Sequence, residues 1–164
     1  MSVSVAYQAK ATATEALETN IPATPTGSRS VVHSAWDTTK TLNSGSTPPA
    51  TKVAAFQKAL AAGVATIDLS ALTGTNGSTV VGTGLRVQVL RVRNPAANGN
   101  PISIAKGAAN GYDGFGATFF LELVPGAEAL IFGNDAGGDI GGANKNLDLA
   151  GTLIQALDVE IVLG

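Results

Sequence analysis

The 164-residue chain is 45% hydrophobic but only 13% charged, with ten basic against twelve acidic residues. Globular chains usually carry about 25% charge, disordered ones are poor in apolar residues and nucleic-acid binders are markedly basic, so disorder and nucleic-acid binding are excluded as readings. With no cysteine and one histidine, disulfides and thiolate chemistry are excluded, and the chain is short of the ligands that zinc sites usually draw on.

The N-terminal residues lack the basic and apolar regions of a signal peptide, and no run approaches the ~20 apolar residues of a membrane helix. The expectation is a chain made in the cytoplasm, with no membrane partner. Val3, Val5, Tyr7, Ala9, Ala11 and Ala13 alternate with mostly polar neighbours, the period of a half-buried strand. Residues 20–28, with two prolines and a glycine, break that pattern and read as a loop or flexible arm. Residues 30–42 are rich in β-branched and aromatic types and predict one strand; 43–49 predict a second loop.

Residues 52–62 are ambiguous. Val53, Phe56 and Leu60 have helical spacing, with Thr51 as a cap and Gly63 beyond the end. The same residues read equally well as a strand with Ala54, Phe56 and Leu60 on one face. Residues 64–72 are strand-like. In 85–93, Leu85, Val87 and Val89 share one face before the apolar positions switch to Leu90 and Val92, which predicts a β-bulge or a strand buried on both sides. Strands are expected at 102–105 and 117–124. Pro125-Gly126 reads as a turn, with 127–132 returning antiparallel, and a last strand alternates through Leu157, Val159, Ile161 and Leu163. Short strands separated by turn signals predict an all-β chain, an antiparallel β-sandwich of jelly-roll type, with one short helix near 52–62 as the open alternative. A single domain over 1–164 with an extended arm over 1–28 is the expected organisation.

No catalytic constellation stands out. His33 and Asp37 share a strand face and a His–Asp pair can orient a general base, but no serine is singled out as its nucleophile; a half-buried histidine and a core Trp36 explain the cluster as well. The loop around Asp135 and Asp139 holds five glycines. It could offer oxygens to calcium, yet it fits no calcium-loop spacing, and turns explain the glycines. Residues 74–84 are glycine-rich but lack the Lys-Ser/Thr of a phosphate loop, which favours a flexible connection or hairpin tip. Arg86, Arg91, Arg93 and Lys106 put four of the ten basic residues within 21 positions. They are read either as partners for a neighbouring subunit's carboxylates or as a solvated or internally paired face. No catalytic, cofactor or metal residue is therefore assigned, and no cofactor is expected.

Two features bear on function. Strand edges need guarding by charge, proline or bulges, and this chain has few charges for that duty. A surface so poor in Lys and Glu resembles the core of an interface, which suggests that other subunits cover much of it. Residues 63–74 (GVATIDLSALTG), 84–88 (GLRVQ) and 94–102 (NPAANGNPI), within the run 47–112, resemble small structural proteins of tailed bacteriophages and prophages. Residues 125–141 and 147–164 continue the likeness. The resemblance implies a virion component, a capsid decoration or cement protein on the capsid surface, assembled in the bacterial cytoplasm. It implies a homo-oligomer, commonly a trimer, whose partners are the major capsid protein or other virion proteins, and no enzymatic activity. The N-terminal segment and the loops at 20–29 and 43–51 are the expected contact arms. The competing reading is a carbohydrate-binding β-sandwich of a tail or host-recognition structure, which would require an exposed Trp36 or Tyr112 as a sugar platform.

Overall fold

The computed structural model describes residues 3–11, 13–17, 29–32, 36–132 and 137–164, with backbone only at 9–11, 14–17, 29–32 and 36–38. The chain divides into two compact units, one of 5–41 and one formed by 42–164 with the first residues of the chain. In the smaller unit, β1 (Ser4–Ala11) pairs with β4 (Trp36–Asn43), and β2 (Thr14–Leu17) pairs with β3 (Arg29–Val32). The predicted alternation is visible in β1: Val5 and Tyr7 are half-buried between exposed Ser4, Ala6 and Gln8. The strand predicted at 30–42 is two strands, β3 and β4. Of the expected contact arms, 20–28 lies outside the described residues. The 43–51 loop is no arm but a closed turn: the Ala50 and Ser46 amides donate to the Asn43 carbonyl at 2.9 and 3.2 Å, and Ala50 is fully buried.

The larger unit is an antiparallel β-sandwich. Its strands are β5 (Lys52–Ala59), β6 (Val64–Asp68), β7 (Leu72–Thr73), β8 (Thr79–Val80), β9 (Val87–Arg93), β10 (Ile102–Lys106), β11 (Phe120–Leu123), β12 (Glu128–Phe132), β13 (Asn146–Ala150) and β14 (Ala156–Leu163). One sheet runs β12-β9-β14-β5 and the other β11-β10-β13-β6. One continuous core lies between them. Ile161, Leu90 and Ala54 meet across the first sheet, and Ile104, Leu149 and Ile67 face them from the second, all at 2% exposure or less. The β7–β8 hairpin closes through Gly74 and Ser78, so the glycine-rich 74–84 stretch is a hairpin tip with the strand after it.

The helix alternative at 52–62 is not realised. β5 pairs along its whole length with β14, from Lys52 opposite Leu163 to Ala59 opposite Ala156. Helical spacing yields here because β14 offers β5 a continuous antiparallel ladder and the strand sends Ala54 into the core. The face switch in 85–93 is a bulge: Val162 pairs with Val89 but Leu163 with Val87, leaving Gln88 as the extra residue. Val87 thereby joins the core together with Leu90 and Val92, while Val89 turns to the outer face. The turn at Pro125-Gly126 does not make a hairpin. β11 pairs with β10 and β12 with β9, so the turn carries the chain from one sheet to the other.

Candidate functional site: the two outer faces of the sandwich

Alternation along a strand sends every second side chain outward, so the register lists what each outer face presents. On the first sheet the central rows are Ala55–Glu160–Arg91–Leu130 and Gln57–Asp158–Arg93–Glu128. Arg91 donates to both oxygens of Glu128, at 2.8 and 3.1 Å, and to Glu160 at 3.3 Å. Arg93 donates to Asp158, which also accepts from Gln57 at 2.9 Å. The Arg91 hydrogen bonds hold the Glu128 carboxyl below its ordinary pKa, against a small opposing effect of burial, and Glu128 and Glu160 in turn raise that of Arg91. The two arginines expected as candidates for a neighbouring subunit's carboxylates thus spend their fork within the chain.

The second outer face is built differently. Its rows are Val64–Ala150–Ser103–Glu122 and Thr66–Asp148–Ala105–Phe120. Phe120 is 64% exposed and Val64 59%. Between them Ala150, Ser103 and Ala105 are too small to fill the surface, and a shallow depression of about 440 Å³ results. Glu122 stands on the edge strand. Asp148 is tied down, accepting from the Thr66 hydroxyl and the Ala108 amide at 2.8 Å each. Asp68, at the far end, accepts from Lys145 at 2.8 Å. Burial would raise its pKa, but the hydrogen bonds from Lys145 and Ser70 outweigh burial and lower it. No cation stands in the two central rows of this face.

At the end where β13 leaves this face, the loop 151–155 turns back into β14. Gly63 makes the close approach possible: its φ is +83°, and a Cβ there would lie 2.8 Å from the Gly151 carbonyl. Gln155 is 4% exposed and locks the loop from inside. Its Oε1 accepts from the Thr152 amide (2.6 Å) and hydroxyl (2.9 Å), and its Nε2 donates to the Asn100 carbonyl at 2.8 Å. Asn94, fully buried, donates to the carbonyls of Asn100 and Leu123 and accepts from Asn98. The phrase NPAANGNPI is therefore a polar lock for these loops. At the tip, Leu153 is 70% and Ile154 95% exposed, and Ile154 sits at φ +60°, a left-handed conformation that a β-branched residue rarely adopts.

The other candidates separate. His33 and Asp135 lie outside the described residues, as do the side chains of Trp36 and Asp37. Asp139 accepts from Arg86 at 2.7 Å, and among the described residues no group of three His, Cys, Asp or Glu could hold a metal. Lys106 closes β10, half-buried. Tyr112 is 1% exposed; its hydroxyl accepts from the Val87 amide at 3.0 Å and its ring meets Phe115 edge-on at 5.6 Å. Burial raises its pKa, and the residue is a core pillar that no sugar can reach. The sequence reading missed Val64, Phe120 and Ile154. The doublet Phe119-Phe120 was the available signal, since on a strand one of two adjacent aromatics must point away from the core. No known protein family, curated protein or solved structure matches the chain.

Proposed function

We propose that the protein is a structural component of a tailed-phage virion, a capsid decoration or cement protein that binds the shell as a homo-oligomer. The observation that carries this reading is the second outer face: a β-sheet surface of small and exposed apolar side chains on a chain with half the usual charge. Such a surface is suited to being covered by protein. The jelly-roll expectation is supported by strand order. Counted in chain order, the eight sandwich strands lie as 1-8-3-6 in one sheet and 2-7-4-5 in the other, the arrangement of paired Greek keys. The mechanism is mechanical: burial of apolar surface across subunit boundaries stabilises the shell without any bond being made or broken. No enzymatic role is proposed. The carbohydrate-binding reading loses one of its two named platforms, since Tyr112 is buried.

The test is sedimentation of the purified protein with assembled or heat-expanded phage shells. Saturable co-sedimentation is the expected result. A protein that stays in the supernatant at every shell concentration would remove the decoration reading.

A further inference from the structure

The loop that carries Leu153 and Ile154 leaves the sheet at Ala150, which lines the depression, and is tied back to it by the Gly151 amide donating to the Gly63 carbonyl at 2.8 Å. The tip is rigid, because Gln155 holds it through hydrogen bonds on both its amide atoms. It is also strained, because Ile154 keeps a left-handed backbone where glycine would be at ease. Strain and full exposure of an isoleucine favour neither solubility nor stability, and such outliers cluster where a surface is used. The second outer face, where this loop begins, carries a depression of about 440 Å³ floored by Ala105, Ser103 and Ala150 and walled by Val64 and Phe120. Two branched aliphatic side chains and a small-residue floor between larger apolar walls are complementary in shape and polarity. The charged group that lines the depression is Asp148, whose two carboxylate oxygens are held by the Thr66 hydroxyl and the Ala108 amide.

We infer that the Leu153–Ile154 tip of one copy seats in the Val64–Phe120 depression of the next, so that the protein associates with itself head to tail. The inference deepens the virion reading by naming the surface through which the oligomer forms. Knob into groove is a heterologous contact, which closes into a ring when the rotation permits. Four large apolar side chains take part in each contact, and at roughly 100 Å² apiece they bury about 400 Å². That is well short of the ~1,200 Å² of a stable interface. A single contact is therefore weak, and association is expected to be reversible and concentration-dependent, strengthened when a ring closes or a shell aligns the copies.

Light scattering of the full chain across a concentration series tests this, with Ile154→Asp and Ala105→Lys as variants at exposed or outward positions and thermal melting as the control for folding. Wild type is expected to rise above 16.4 kDa with concentration while both folded variants stay at the monomer mass. The chain has no cysteine, so a mixture of Ile154→Cys and Ala105→Cys single variants adds a direct readout: the crosslink between unlike variants should form several-fold faster than either like pair. Wild type that stays monomeric up to millimolar concentration overturns the inference, as does an oligomer that both charged variants leave intact or crosslinking with no preference for the unlike pair. If those results coincide with undiminished shell binding, the virion reading survives without this contact; if shell binding also fails, both fall.

Discussion

The two outer faces of the sandwich share a core and antiparallel pairing, yet they present opposite chemistry. One is tiled by Arg91, Arg93, Glu128, Asp158 and Glu160, each paired with a neighbour across the strands. The other has alanines, a serine and a threonine between Val64 and Phe120, its carboxylates set at the margin or tied down. A charged, mutually paired face is content in water and presents nothing for a partner to neutralise. A small-residue face with exposed apolar walls loses nothing on being covered and gains the burial of its walls. The contrast teaches that the two faces use charge differently: one pairs arginines with carboxylates across its strands, and the other, the bare face, has no cation in its central rows and sets small and apolar side chains around Asp148.

The core beneath is common to both faces, and substitutions there should not distinguish them. Leu149→Ala under the bare face and Ile161→Ala under the charged face are each expected to lower unfolding free energy by about 2–5 kcal/mol, measured by urea denaturation. A cost confined to one of them would mean that the sheets do not share one core. Ile154→Gly should act in the opposite direction. Relief of the left-handed strain is worth about 1 kcal/mol, so the melting temperature at low concentration should rise while self-association falls. A less stable variant would show that the tip is held for the fold and not for a partner.

On the charged face, Arg91→Ala removes the hub of two ion pairs. All three side chains are over 40% exposed, so screening limits the loss to about 0.5–1 kcal/mol, smaller still in 1 M salt. The smallest effect is in acid. Glu128 is held below its ordinary pKa, so the folded state binds its proton later than the unfolded one. Its contribution is complete above the unfolded carboxylate range near pH 4.3 and is lost as pH falls through the folded value. Glu128→Gln should therefore flatten the acid limb of a stability–pH curve below about pH 4 and leave neutral pH little changed; an unaltered limb would mean that Arg91 gives Glu128 no preference for its charged form.

Much of the fold was legible from period alone. The alternation through Leu157 to Leu163 announced a strand, and the apolar positions of 85–92 announced either a bulge or a strand buried on both sides, of which the bulge is present one step earlier than the pattern placed it, at Gln88. What was not legible depends on partners distant in sequence. Nothing local in residues 52–59 prefers a strand over a helix; the decision is made by β14, a hundred residues later. Pro125-Gly126 reads identically whether it joins two strands of one sheet or carries the chain between sheets, since turn chemistry fixes the bend and not the destination. The bare face was anticipated only as a shortage of charge. Its location required the register that sets Ala150, Ser103 and Ala105 side by side from β13 and β10, and the exposed tip required the left-handed backbone at Ile154, which side-chain pattern does not encode.

The most direct test of the account is a matched pair of charge insertions, one per face, read by co-sedimentation with phage shells. Ala105→Lys places an ammonium on the bare face opposite Asp148, and Ala55→Lys places one on the charged face opposite Glu160, so each new charge has a carboxylate at hand and the fold is spared. The account predicts that Ala55→Lys sediments with shells like wild type while Ala105→Lys, equally well folded by circular dichroism, stays in the supernatant. Binding by Ala105→Lys at wild-type affinity would contradict it, because shell binding would then not depend on the bare face.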